Sequence, residues 1–247
     1  MISILTDPKK AEHLFLGWDD TMIRSCLQQI MGEILVTNTE KPKAACAHLG
    51  CFAFYTGEPD EELVRNKPNG FLIMTPQNEG WASLIEQCHP TAQKVTRYAM
   101  RKDTVFDRQK LQRYVSLLPA DYRLKQIDGE LYDQCLQNPL TTDFVANFGS
   151  KDKFMTLGLG YVILKNGEII SGASSFSRYD EGIEIEVDTA EAERGKGLAS
   201  IACAALILKC LEIGLYPSWD AQNLISVRLA EKLGYQLGHK YQAYETK

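Results

Sequence analysis

The sequence predicts a mixed α/β (α+β) protein in two parts, and three observations carry that reading. Stretches that alternate apolar and polar residues, such as Ile183-Glu184-Ile185-Glu186-Val187, recur between segments with helical spacing. Asn166-Gly167 separates two extended runs, the signature of a tight hairpin and so of antiparallel strands. Residues 199–208 form an apolar run broken by one serine, which suits a buried helix. It is half the ~20 residues that a bilayer requires.

Taken in order, Asp19 or Asp20 caps a helix running to about residue 30, because a short acidic side chain can accept from the first free N–H groups. Extended stretches follow at 32–37, 51–56, 71–75 and 94–100, with helical segments at 61–65, 79–87 and 107–117. The last of these ends at Leu117-Leu118-Pro119, and a proline stop there predicts a domain boundary at 120/121. Beyond it, residues 122–128 alternate as a strand, and Asp128 caps a helix through 137. A second helix is expected over 143–148, then the hairpin 160–164/168–176, then the strand 183–187. A long helix over 197–213 stops at Gly214, a strand covers 215–219, and a helix from Asn223 stops at Gly234. The final stretch, 235–244, reads as strand or irregular.

The chain has 247 residues, 45% hydrophobic and 24% charged, the balance of an ordinary globular protein of one or two domains and not of a disordered or fibrous one. Its seven cysteines are odd in number and lack C-x-x-C spacing; Cys46-Ala-His48-Leu-Gly-Cys51 lies in an apolar, strand-like stretch that suits buried thiols better than a metal. No metal is expected. The net charge of −5 falls wholly on residues 121–247, which carry 13 basic and 18 acidic residues against 14 and 14 before them. That balance argues against nucleic acid and suits a cationic substrate. With no signal-peptide core and no membrane segment, a cytoplasmic protein is expected.

The chemistry-bearing segment runs from Ile183 to Ala199. A strand enters a short loop, Arg194-Gly195-Lys196-Gly197, and a long apolar helix begins there. The first N–H groups of a helix lack intrahelical partners, and the macrodipole adds about half a positive charge. Glycines remove the Cβ atoms that would hold a ligand off that backbone, and Arg194 and Lys196 add charge beside it. These features together suit a pyrophosphate. Downstream, Asn223 occupies an N-cap position, and Ser226 lies three residues on, on the same flank.

Here the sequence resembles the GNAT superfamily of N-acetyltransferases. Arg194-Gly195-Lys196-Gly197-Leu198-Ala199 matches the acetyl-CoA pattern Arg/Gln-x-x-Gly-x-Gly/Ala at a strand–loop–helix junction, and Asn223 through Gly234-Tyr235 resembles the second motif. The resemblance covers residues 121–247 and implies a central twisted sheet flanked by helices, with acetyl-CoA as co-substrate. It implies that backbone groups of Val187, Asp188 and Thr189 meet the pantetheine arm. The N–H groups from Arg194 through Gly195, Lys196, Gly197 and Leu198 to Ala199 would hold the pyrophosphate, while Asn223 and Ser226 would face CoA. The implied reaction is direct attack of a primary amine, on a small molecule or an N-terminus, on the thioester.

For the general base, Glu184 and Glu186 alternate with apolar neighbours and so share one sheet face; Glu181 is a third candidate. The family's usual tyrosine acid is replaced by Ala230, leaving Tyr235, Tyr241 or Tyr244 as substitutes, or an acid-free reaction. Ser174, Ser175 and Ser177 could line a substrate cleft or belong to an ordinary strand. Residues 1–120 are expected to be a smaller α/β domain, either a degenerate acetyltransferase-like half or a substrate cap, with Trp18, Trp81 and Tyr98 as pocket or core aromatics. A homodimer is allowed. Two rival functions stay open: a non-catalytic acyl-CoA sensor, and a dinucleotide-binding oxidoreductase suggested by Gly195-x-Gly197-x-x-Ser200 with Asp220 downstream.

Overall fold

The computed structural model describes residues 1–68 and 70–246. The chain folds as two compact units, residues 1–97 together with the segment from Lys240 onward, and Tyr98–His239. Among the described residues no helix is long and apolar enough to cross a membrane.

The first unit contains β1 (Ser3–Ile4), α1 (Lys9–Glu12), α2 (Thr21–Leu27), β2 (Glu33–Val36), β3 (Ala44–Leu49), β4 (Phe52–Gly57), α3 (Glu61–Arg65), β5 (Leu72–Pro76), α4 (Glu79–Cys88) and most of β6 (Gln93–Met100). Asp20, not Asp19, caps α2, accepting from the N–H groups of Met22 and Ile23, while Asp19 pairs with Arg24 at 2.6 Å. The strands lie in the order β1-β2-β3-β4-β5, antiparallel except for the parallel pair β4–β5. Trp81 and Tyr55 are fully buried in the core, so Trp81 is a packing residue.

The second unit contains α5 (Arg108–Ser116), β7 (Tyr122–Gln126), α6 (Gly129–Gln137), α7 (Lys151–Leu157), β8 (Gly160–Lys165), β9 (Glu168–Tyr179), β10 (Gly182–Thr189), α8 (Leu198–Glu212), β11 (Tyr216–Ser218), β12 (Asp220–Ala221), α9 (Leu224–Leu233) and the start of β13 (Leu237–Thr246). Its sheet runs β7-β8-β9-β10-β11, again antiparallel but for the parallel pair β10–β11. The two units thus share one strand order and one parallel pair. A doubly wound parallel sheet, which the dinucleotide reading needs, is not what these residues form.

The structure corrects three expectations. The division falls at 97/98 and not at 120/121, because Leu111 of α5 is buried in the same core as α8, and Arg108 donates to the Leu211 carbonyl at 3.0 Å. The end of β13 returns to the first unit, where Tyr244–Thr246 pair with Met74–Leu72 of β5. The helix expected over 143–148 is two 3₁₀ turns, Thr142–Phe144 and Ala146–Phe148, separated at Val145 and ended by Gly149 in the left-handed region at φ 73°.

Helix α8 organises the second unit. Its Ala202 and Ala204 are fully buried beside Ile163, Ala173 and Ile183, and small side chains let the helix lie close on the strands. Ala204→Leu forces an isobutyl group into that contact and should cost about 1–3 kcal/mol, read as a lower urea midpoint at unchanged slope.

Candidate active site

Strand β10 is eight residues long, yet its parallel pairing with β11 covers only Gly182–Glu184 with Tyr216–Ser218. From Ile185 onward β10 stays paired to β9 on one edge and loses its partner on the other. Past Trp219 the chain enters β12, whose Asp220 and Ala221 pair with Ala99 and Tyr98. The result is a splay whose open edge includes Val187, Asp188 and Thr189.

A 3₁₀ turn, Glu191–Glu193, leads from this edge into the loop before α8. Gly195 and Gly197 sit at φ 78° and 80°, a region that side chains with a Cβ rarely enter. A Cβ added to either would meet open space, so the backbone here is bare on its outer side. Gly197 is the N-cap of α8 and supplies no side-chain cap; the first intrahelical bond runs from Ile201 N–H to Gly197 O at 3.2 Å. The N–H groups of Leu198, Ala199 and Ser200 therefore have no intrahelical acceptor. A 15-residue helix aims its positive dipole end at the same point.

The basic residues of the loop are less free than their sequence suggests. Arg194 donates through Nε to the Thr189 carbonyl at 3.1 Å and lies 3.8 Å from Asp188 Oδ1, tying the loop to the end of β10. Lys196 is held by Glu193 at 2.8 Å. Glu193 also accepts from Tyr122 at 2.6 Å and pairs with Lys165 at 3.1 Å, which fixes the turn to β7 and β8. The Lys196, Tyr122 and Lys165 donors, in that order, hold the Glu193 carboxyl down at about 2. Nothing in the sequence marks Glu193, because Tyr122 lies 71 residues away.

That depressed carboxyl has a thermodynamic consequence. A group whose folded value is lowered contributes stability above its unfolded value, and the contribution is lost as pH falls through the folded one. Thermal melts of wild type and Glu193→Gln should therefore converge between pH about 4.5 and about 2, and diverge above it.

Glu184 and Glu186 stand on one face of β10, opposite Ser177 and Ser174 of β9, while Ile183 and Ile185 face the core under α8. Glu184 is 5% exposed and sits at the last paired position before the splay; Glu186, in the splayed part, is half-buried. Glu181, the third candidate, precedes the strand and is exposed.

Asn223 caps α9, accepting from Ile225 and Ser226 N–H at 2.9 and 3.0 Å. Ser226 Oγ accepts from the Trp219 indole at 3.0 Å. Both anchor the chain just past the splay. Ala230 is fully buried in the core. Tyr235 donates to the Pro217 carbonyl at 2.6 Å, and burial pushes its hydroxyl well above the usual range. Tyr241 accepts from Arg97, and Tyr244 donates to Glu86 at 2.6 Å; both belong to the first unit. The hydroxyl protons of Tyr235 and Tyr244 are thus committed within the protein. Burial pushes the thiols of Cys26 and Cys210 up to about 12, so neither supplies a thiolate.

The corresponding place in the first unit is closed. There β4 and β5 stay paired from Phe52–Ile73 to Tyr55–Pro76. The space beyond is bridged by Gln77 N–H to Tyr55 O at 3.0 Å, Gly57 N–H to Gln77 Oε1 at 3.2 Å and the Trp81 indole to Gly57 O at 3.0 Å. Helix α3 is five residues long, Asp60 caps its first N–H groups, and Glu61 and Glu62 fill its first turn. An anion has no foothold there.

Residues 12–244 match the GNAT acetyltransferase family. The chain is 29% identical over 130 residues to an uncharacterized N-acetyltransferase, YdfB, of Bacillus subtilis; the match takes in 51% of this chain and 49% of that one, about half the relative's length. The crystal structure of a GCN5-related N-acetyltransferase-like protein from Streptococcus suis superposes with a TM-score of 0.93 at 44% identity over 98% of both chains. A GNAT-family acetyltransferase structure from Novosphingobium aromaticivorans, described as putative, shares the fold at a TM-score of 0.58 and 15% identity, over 91% of this chain and 94% of that one. A family match over residues 12–244 takes in both units, and the chain belongs to the GNAT acetyltransferase family.

Proposed function

We propose that the protein moves an acetyl group from acetyl-CoA to a primary amine, on a small molecule or an N-terminus, by direct attack. The carrying observation is the bare N-terminus of α8 beside the opening between β10 and β11. In this reading the N–H groups from Arg194 to Ala199 take the pyrophosphate, and the open edge at Val187, Asp188 and Thr189 pairs with the amides of the pantetheine arm. Asn223 and Ser226 face the CoA side of the opening with their remaining amide and hydroxyl protons. Arg194 and Lys196 act chiefly by bracing the loop, since Asp188 and Glu193 hold them.

Glu184 is the proposed base and Glu186 its outer neighbour. The base takes a proton from the acceptor's ammonium, and the freed nitrogen attacks the thioester carbonyl. The C–N bond forms as the C–S bond breaks, and CoA leaves as thiolate to be protonated from solvent. With Ala230 in the core and the hydroxyl protons of Tyr235 and Tyr244 committed to Pro217 and Glu86, the reaction in this reading proceeds without a tyrosine acid.

The closed counterpart in the first unit adds a quantitative expectation. Titration calorimetry with acetyl-CoA should give one site per chain. Thiol release should then depend on an added amine, with polyamines, aminoglycoside-like compounds and peptide N-termini as the first panel. Binding without amine-dependent release across that panel would favour a sensor; no binding would overturn the proposal.

A further inference from the structure

Strand β9 carries Ser174, Ser175 and Ser177, each shielded completely from solvent. Two of them are committed. The Ser174 hydroxyl donates to the Phe144 carbonyl at 2.7 Å, and Ser175 Oγ accepts from Leu159 N–H at 2.9 Å. Ser177 Oγ has no hydrogen-bond partner among the described residues. Buried hydroxyls are paired as a rule, because an unpaired one forfeits its hydration for nothing.

The register explains how this hydroxyl came to lie where it does. Glu186 pairs with Ser174 and Ile185 with Ser175, but Glu184 pairs with Ser177, so Phe176 is an extra residue on β9. Its carbonyl is taken by Asn147 Nδ2 at 3.3 Å. Without the bulge, Phe176 would stand opposite Glu184 and Ser177 would turn to the other face. The bulge therefore replaces a phenyl ring with a hydroxyl beside a buried carboxylate. Directly opposed residues on antiparallel strands have Cβ atoms roughly 4.5–5.5 Å apart, within reach of a serine rotamer change.

We infer that Ser177 is a positioning residue for Glu184: its hydroxyl swings to donate to the ionised carboxylate and holds it in the orientation that receives the acceptor's proton. The inference rests on reading Glu184 as the base. A hydrogen bond to the charged form favours that form, opposing the effect of burial on the same carboxylate. Titratable groups that sense Glu184 include Tyr216 of β11 and Tyr235 after α9, and Glu186 is its neighbour along the strand.

The test follows Glu184 directly. In protein labelled with ¹³C at the glutamate carboxyls, the Glu184 signal is assigned by its loss in Glu184→Gln and titrated in wild type, Ser177→Ala and Ser177→Thr. Loss of a hydrogen bond to a charged group should raise the Glu184 midpoint by about one unit in Ser177→Ala, and Thr should return it towards wild type. The thermal midpoint of Ser177→Ala should equal wild type or exceed it below the Glu184 midpoint, where the carboxyl is protonated and the bond unmade, and should fall behind wild type above it. Ser174→Ala, which breaks the bond to Phe144, should melt lower. An unchanged Glu184 midpoint in Ser177→Ala overturns the inference, whatever its stability. Full acetyl transfer by Glu184→Gln would instead overturn the base assignment, while the carboxyl titration judges the Ser177–Glu184 coupling on its own.

Discussion

Ala199→Glu is expected to leave the protein folded and to remove its affinity for acetyl-CoA. Ala199 is the second residue of α8, half-buried, among N–H groups without intrahelical acceptors. A carboxylate in the first turn of a helix interacts favourably with the dipole, by about 0.3–1 kcal/mol, so the thermal midpoint should hold or rise slightly. The same carboxylate would stand beside the pyrophosphate. Two unit charges at ~5 Å and an effective dielectric of ~20 repel by about 3 kcal/mol, which corresponds to roughly a hundredfold loss of affinity. Loss of binding with a preserved melt would locate the cradle. Unchanged binding would remove α8 from the cofactor site altogether.

The matching experiment in the first unit exposes the logic. Asp60, Glu61 and Glu62 already place acidic groups at the start of α3, and Asp60 occupies its N–H groups. The start of α3 thus already carries the kind of negative charge that Ala199→Glu would bring to α8. The shared strand order, with one end open and the other sealed by Gln77 and Trp81, supports reading the first unit as an acetyltransferase-like half without a cofactor site.

The backbone features behind the proposed cofactor end are legible in the sequence because they depend on local chemistry. Two glycines before an apolar helix, and an Asn-led helix ending at Gly234, act through backbone conformation within a few residues. Positive φ at Gly195, Gly197 and Gly234 is what such spacing implies. The rest depended on partners far along the chain. Glu193 matters through Tyr122 and Lys165, and no local pattern joins them. The bulge at Phe176 is equally silent, since Ser-Ser-Phe-Ser reads as a plain strand until the register with β10 is known. The proline at 119 misled, because α5 stops there yet packs on α8, and burial of Leu111 outweighs a local stop signal.

Glu184→Gln should lower kcat by about 10²–10⁴ and leave acetyl-CoA binding intact, the range that removal of a general base produces. Glutamine keeps the shape of a side chain only 5% exposed, so packing is preserved and the proton acceptor alone is lost. Glu186→Gln should cost less, because Glu186 lies in the splayed part of β10 and is half-buried. The pH profile separates the two further. If Glu184 is the base, kcat/KM in the wild type falls on the acid side as that carboxylate takes a proton, and the fall disappears in Glu184→Gln. If the acid limb instead disappears in Glu186→Gln, the proton passes first to the outer carboxylate. Glu184 would then be a buried charge that tunes it, and the position on β10 that faces the acceptor would lie two residues further along the open edge.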